Sequence, residues 1–245
     1  MRRYSRYVGE WGRMLLRHRG WLRYAWPWFA SNRPGRSPLA DGVPWVTYPA
    51  IRWLESFLHR EMRVWEWGSG GSTLFLARRV RSLISIEHHD EWFNQVRDRL
   101  REQDVCNVDC RLIAPDGGLL PAPPPAHASV NYGSGARGYE GKFFHSYVCS
   151  IDAEPAASLG LVMIDGRARM ACLFHALAKV RHGGAVMLDN AHYARYQDTL
   201  TDLENTRLRK WKRVDLSGPG PYTVATQGTT LAWIRPDNGG NPGGC

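Results

Sequence analysis

Residues 63–92, RVWEWGSGGSTLFLARRVRSLISIEHHDEW, decide the fold of this chain. A short apolar run typical of a strand leads into the glycine-rich turn 68–72, then into apolar side chains at helical spacing. A second apolar run ends at Glu87. The stretch predicts a strand, a turn, a helix and a second strand. Glycines there let a ligand approach the backbone, and Glu87 can accept hydrogen bonds from a ribose diol.

The residues around the turn distinguish between kinds of ligand. The turn could simply begin a helix, a position that suits Ser72 and Thr73. A dinucleotide site normally has a third glycine where this chain has Thr73, and it binds a pyrophosphate at the helix N-terminus. Glu66, two residues before Gly68, would repel a pyrophosphate but attract an ammonium group. The pattern favours S-adenosylmethionine, which carries an ammonium and a sulfonium group and no phosphate.

With these residues the sequence resembles the class I S-adenosylmethionine-dependent methyltransferases over residues 44–236. Their first motif, acid-x-Gly-x-Gly-x, matches residues 66–72, and Glu87 matches their ribose-binding acid. The resemblance implies a Rossmann-like, doubly wound α/β sheet, mostly parallel with a C-terminal antiparallel strand, in a three-layer sandwich. The cofactor contacts that we expect are Glu66, Gly68, Ser69, Gly70, Ser72, Glu87, His88, Ala114 and Asp165.

Two later apolar runs also end in polar residues, one at Asp165 and the other at Asp189-Asn190. Parallel strands would bring these side chains to the same sheet edge as Glu66 and Glu87. Three roles stay open. Asp165, Asp189 and Asn190 offer oxygen ligands of the kind that Mg²⁺ prefers. Asp165 or His192 could be the general base that methyl transfer to oxygen needs. Asp189-Asn190 could instead only form a turn. Our predicted catalytic residues are Asp165, Asp189 and His192.

The same residues carry two finer resemblances. Asp165 with Asp189-Asn190 resembles the metal ligands of catechol O-methyltransferase, whereas IDGRAR (164–169) followed by LDN (188–190) is similar to glucuronoxylan 4-O-methyltransferases. The catechol enzymes have a lysine where this chain has Arg167 and Arg169. Because arginine is too basic to accept a proton, it suits binding of a carboxylate or phosphate. The acceptor contacts that we expect are Arg167, Arg169, Tyr132 and Tyr139. The predicted acceptor is a negatively charged glycan, glycoconjugate or small metabolite.

The N-terminal residues supply much of the formal net charge of +9, since residues 1–36 hold many arginines and the single acid Glu10. Aromatic side chains alternate with these arginines. We weigh three roles for residues 1–29: contact with an anionic membrane surface, a helix docked on the domain, and, least expected, nucleic-acid binding. No run approaches the ~20 apolar residues of a membrane span, and no secretory h-region is present. We expect a cytoplasmic protein, with membrane association through this segment left open.

The chain of 245 residues suits one domain with an appendage. We predict an N-terminal helical segment and linker at 1–42, the methyltransferase domain at 43–236 and a flexible tail at 237–245. Five cysteines without a CxxC pair indicate neither a disulfide framework nor structural zinc. Two other functions remain open. One is a nicotinamide-dependent oxidoreductase on a similar sheet, and the other is a non-catalytic binding module that uses the basic N-terminus. The sequence does not determine the oligomeric state.

Overall fold

The computed structural model describes residues 19–117, 132–222 and 228–237. Within them a seven-stranded sheet has the order β3-β2-β1-β4-β5-β7-β6. Strands β1 to β5 are parallel, and β7 is antiparallel to both of its neighbours. The predicted fold class is therefore confirmed. The strands are β1 (Arg63–Trp67), β2 (Ser82–Glu87), β3 (Val108–Leu112), β4 (Leu159–Ile164), β5 (Val180–Asp189), β6 (Lys212–Asp215) and β7 (Thr230–Ile234).

Helices cover both faces of this sheet. Successive side chains of a strand point to opposite faces, so each strand contributes to two separate cores. In β1, Trp65 and Trp67 enter one core and Val64 enters the other. The α-helices of the described residues are Ala25–Ser31, Pro38–Asp41, Tyr48–Phe57, Gly71–Ala77, Asp90–Glu102, His145–Cys149, Arg169–Ala176 and Ala194–Asn205. None of the helices in this described part has the length and apolar content that crossing a bilayer requires.

The helix that precedes β1 is fixed at its start by Thr47. The Thr47 hydroxyl accepts a hydrogen bond from the Ala50 N–H at 3.2 Å and donates one to the Leu216 carbonyl. The first contact caps Tyr48–Phe57, and the second ties the helix to the segment between β6 and β7. This connection places the residues before β1 beside the carboxyl end of the sheet.

Part of the N-terminal segment packs on the domain. Tyr24 stacks on Tyr48 with ring centroids 5.2 Å apart, and the backbone N–H of Tyr222 donates to the Ser31 hydroxyl at 3.2 Å. The Tyr222 hydroxyl also donates to Asp41 at 2.7 Å, near the end of the predicted segment and linker 1–42. The predicted segment 1–42 thus includes chain that packs on the domain. Residues 1–18, much of the insertion after β3 (118–131) and most of the predicted tail (238–245) lie outside the described residues.

Candidate active site

A cavity of about 760 Å³ opens at the carboxyl edge of β1, β2, β4 and β5. It brings together residues that the sequence analysis selected from distant motifs. Of the predicted residues, the following line it: Gly68, Ser69, Gly70, Ser72, Glu87, His88, Tyr139, Asp165, Arg167, Arg169, Asp189, Asn190 and His192. Trp92, which was not predicted, also lines it and donates its indole N–H to the Ser69 carbonyl at 2.7 Å.

The glycines of the turn are required by different features of the structure. Gly68 has φ +96°, and a Cβ there would lie 2.9 Å from the backbone carbonyl carbon of Asp165. A Cβ on Gly71 would lie 2.1 Å from the Pro38 carbonyl oxygen. These two positions are therefore glycine because the chain packs against itself. At Gly70 the nearest atom to a Cβ would be 3.9 Å away, on Trp92. Gly70 is thus the position where the turn is open to a ligand.

Glu66 lies behind the turn, fully buried, and is absent from the cavity wall. Its Oε2 accepts hydrogen bonds from the Thr73 hydroxyl at 2.7 Å and the Ser85 hydroxyl at 2.6 Å. Thr73 in turn accepts from the Gly70 N–H at 2.8 Å, so this carboxyl group supports the turn from within. Burial raises the pKa of Glu66 to about 7, against the opposing effect of the hydroxyl groups. Direct contact between Glu66 and a cofactor stays a prediction.

Glu87 ends β2 and is nearly buried at the cavity wall. Its Oε1 accepts from the backbone N–H groups of His88 and His89 at 2.8 and 2.9 Å, which holds the carboxylate in place. The His88 Nδ1 lies 2.7 Å from the same oxygen, and its Nε2 accepts from Arg167 Nε at 3.1 Å. Because Nε2 accepts, the neutral ring carries its proton on Nδ1.

Arg169 joins the ends of β4 and β5. Its buried guanidinium donates to the Asp165 carboxylate at 2.8 Å and the Asp165 carbonyl at 2.9 Å. It also donates to the Gly166 and Asp189 carbonyls and to Asn190 Oδ1 at 3.3 Å. The guanidinium is thus hydrogen-bonded within the protein. Arg169 also lines both cavities, and its contact with the acceptor stays a prediction. Asn190 adopts the left-handed conformation, with φ 52°, which turns the chain away after β5.

Both acids of this pair have raised pKa values. Asp165 keeps 25% of its side chain exposed at the cavity wall, and burial of the rest raises its pKa to about 7, with Arg169 opposing and Asp189 reinforcing the shift. Burial also raises the pKa of Asp189, whose Oδ1 accepts from the Thr230 hydroxyl at 2.6 Å. The two carboxyl groups therefore depend on Arg169 for charge compensation.

The predicted magnesium ligands do not fit a resident metal in this arrangement. Asp165 Oδ1 and Asn190 Oδ1 both accept from the Arg169 guanidinium, and Asp189 Oδ1 accepts from Thr230. A cation at the same oxygens would be repelled by a permanent positive charge hydrogen-bonded to Asp165. Mg²⁺ also requires several oxygens in an octahedral arrangement. The guanidinium therefore already occupies Asp165 Oδ1 and Asn190 Oδ1, two of the oxygens that a metal would need.

A second cavity of about 840 Å³ adjoins the first, and Gly166, Arg167, Arg169, Asn190 and Tyr193 line both. No carboxylate is among the described residues that line this second cavity. Its charged and aromatic lining includes Arg137, and also Tyr193, Arg195 and Tyr196, which we did not predict. The Arg195 guanidinium lies over the Tyr193 and Tyr196 rings, 4.4 and 4.9 Å from their centroids. A sequence signal existed, since Tyr193 and Tyr196 are three residues apart at a helix start directly after the DNAH motif.

Two predicted site residues lie away from the cavities. Ala114 is exposed and absent from both walls. The Tyr132 hydroxyl lies 3.1 Å from His175 Nε2, and the His175 Nδ1 pairs with Asp152 at 2.9 Å. Tyr139 does line the first cavity, where the Arg167 guanidinium lies 4.6 Å from its ring centroid. His192 is exposed at the same wall.

Solved structures share this architecture. The O-methyltransferase TomG from Streptomyces achromogenes, involved in tomaymycin synthesis and solved with S-adenosylmethionine, superposes with a TM-score of 0.54 at 17% identity, over 81% of this chain and 90% of its own. An O-methyltransferase from Bacillus cereus, solved with S-adenosylhomocysteine, gives 0.52 at 15% identity, over 84% and 86%. An rRNA methylase from Streptococcus thermophilus gives 0.51 at 13%, over 79% and 100%. This chain has the class I methyltransferase fold.

No protein-family model matches the sequence, and no curated protein matches it either. At these identities the methyltransferase fold is what the comparison establishes. Ligands of such open α/β sheets bind outside the carboxyl ends of the strands. The first cavity lies at that edge, between the glycine turn and the ends of β4 and β5.

Proposed function

We propose that the protein is an S-adenosylmethionine-dependent methyltransferase that methylates a hydroxyl oxygen of a negatively charged acceptor. The observation that carries this proposal is Glu87, a nearly buried carboxylate that lies across the first cavity from the glycine turn in a methyltransferase fold. An acid at the end of β2 in such a fold can accept hydrogen bonds from the two hydroxyl groups of a ribose. The oxidoreductase alternative finds no support among the superposed structures, which are methyltransferases.

The second cavity supports an acceptor with a carboxylate or phosphate group. Arg137, Arg167 and Arg195 line it, and arginine binds both groups with paired hydrogen bonds. The Tyr193 and Tyr196 rings add flat apolar surface against which a sugar or other ring would pack. Because the two cavities share the loop after β4, an acceptor in the second would present a hydroxyl to a methyl group in the first.

The reaction needs alignment and one proton acceptor. Bound S-adenosylmethionine would supply an activated methyl group. The acceptor oxygen would form a bond to the methyl carbon as the carbon–sulfur bond breaks and leaves a neutral thioether, and the hydroxyl proton would pass to a base. Holding the oxygen, carbon and sulfur in line would supply most of the acceleration. Asp165 suits the role of base, because it lines the first cavity directly before Gly166, which lines both cavities, and because burial raises its pKa. His192, exposed at the wall of the first cavity, is the second candidate.

Calorimetric titration with S-adenosylmethionine, its demethylated product and NAD would test this function. We expect the first two to bind and NAD not to bind. Glu87→Ala should weaken S-adenosylmethionine binding by about tenfold or more, since it removes hydrogen bonds to a charged acceptor. Glu91→Gln, on the exposed start of the next helix, is the matched control and should bind normally. Binding of NAD, or no heat with any of the three ligands, would overturn the proposal.

A further inference from the structure

Three exposed apolar side chains form a patch on the N-terminal segment. Leu22, Trp26 and Phe29 are 57%, 69% and 47% exposed. Within the described residues, only Trp45 and Leu112 are also large apolar side chains with comparable exposure. Concentration of exposed apolar groups in one short segment marks an interaction surface rather than ordinary surface scatter.

The segment has two apolar faces. Tyr24, Trp28 and Ser31 are buried against the domain, at positions i, i+4 and i+7. Leu22, Trp26 and Phe29 repeat the same spacing on the outside. A helix that only docks on a domain would carry polar residues on its outer face. The inner face therefore fixes the segment on the domain and leaves the second apolar face available.

Exposed arginines lie in the same segment as this outer face. Arg19, Arg23 and Arg33 lie in the segment, and the sequence has no acid between Glu10 and Asp41. The Arg33 guanidinium lies 5.6 Å from the Trp26 ring centroid and 5.7 Å from that of Phe29. The positive charge and the apolar side chains thus belong to one surface, which we call the basic aromatic surface: Leu22, Trp26 and Phe29 with Arg19, Arg23 and Arg33.

We propose that the basic aromatic surface binds an anionic lipid bilayer. Tryptophan and phenylalanine insert at the boundary between headgroups and acyl chains, and arginines pair with lipid phosphates around them. Leu22 favours lipid over nucleic acid, because an aliphatic side chain offers no ring on which a base could stack. This inference concerns a site separate from the two cavities and holds whether or not the chain transfers a methyl group.

Co-sedimentation of the full chain with vesicles of phosphatidylcholine, with and without phosphatidylglycerol, tests the proposal. We expect binding to the anionic vesicles only, weakening as salt is added. The double variant Trp26→Ala/Phe29→Ala should lose about tenfold or more of its affinity, because both side chains leave water on binding. Trp45→Ala, which removes a similarly exposed tryptophan outside the surface, should bind like the unaltered chain.

Circular dichroism and the thermal midpoint would establish that the double variant is folded. Equal vesicle binding by the folded double variant would overturn the assignment to this surface. Absence of binding to anionic vesicles would overturn it as well, and so would binding to single-stranded RNA in place of vesicles.

Discussion

The two halves of the candidate active site hold buried carboxyl groups by different means. On the cofactor side, Glu66 is surrounded by neutral hydroxyl donors, Thr73 and Ser85. At the ends of β4 and β5, Asp165 pairs directly with Arg169, whose guanidinium also donates to the Asp189 carbonyl. All three acids have raised pKa values because of burial. The comparison teaches that burial raises the pKa in both settings, and that hydroxyl donors and a guanidinium both oppose this rise by stabilising the carboxylate, whereas only the guanidinium adds a compensating charge.

The largest effect should come from removing the cation. Arg169→Met leaves Asp165 and Asp189 without charge compensation and three carbonyl groups without their donor. We expect the free energy of unfolding to fall by about 3–5 kcal/mol, measured by chemical denaturation. Arg167→Met in the same loop is the control. Because Arg167 is half-buried and screened by solvent, its removal should cost under about 1 kcal/mol. Equal losses in both variants would contradict the comparison.

The second effect is a pH dependence on the cofactor side. The pKa of Glu66 is raised from 4.5 to about 7, so its contribution to stability is full below pH 4.5 and is lost as the pH rises through about 7. Glu66→Gln does not titrate. Relative to the unaltered chain, it should therefore gain up to about 3 kcal/mol of unfolding free energy between those two limits. Denaturation curves across this pH range would measure the gain. If the unfolding free energies of the two proteins changed with pH in the same way, the raised pKa of Glu66 would be contradicted.

The smallest effect should distinguish acceptor binding from cofactor binding. Arg195→Met removes a guanidinium that lines the second cavity only. We expect kcat/KM for an acidic oligosaccharide acceptor to fall about tenfold, equivalent to about 1.4 kcal/mol, with S-adenosylmethionine affinity unchanged. Methyl transfer from labelled cofactor is the measurement. Arg209→Met, an exposed arginine outside both cavities, is the control. A weaker cofactor affinity in Arg195→Met would show that cofactor binding and acceptor binding are not confined to separate cavities.

The sheet and its ligand-binding edge could be predicted because their signals are local. Apolar runs define the strands, and the turn 68–72 and Glu87 lie next to the strands that position them. The hydrogen bonds of the Arg169 guanidinium within the protein could not be predicted in this way. Its bond to the Asp189 carbonyl spans twenty residues, and it depends on β4 and β5 lying side by side.

The N-terminal segment shows a second limit of sequence patterns. Large apolar side chains occur on two faces, Leu22, Trp26 and Phe29 on one and Tyr24 and Trp28 on the other, so periodicity does not tell which face packs inward. The answer comes from distant partners, Tyr48 and Tyr222, whose proximity is a property of the whole fold. Likewise, the lining of the second cavity combines the loop 133–141 with a helix that begins more than fifty residues later.

The guanidinium between β4 and β5 also has a consequence for the supply of charge to the site. A metal ion is acquired from the medium, and its occupancy follows the free concentration of that ion. Arg169 is made with the chain and stays protonated at any pH at which the protein is folded. The positive charge between the two strand ends is therefore part of the polypeptide itself. It does not depend on the magnesium concentration of the compartment, and a chelator cannot remove it.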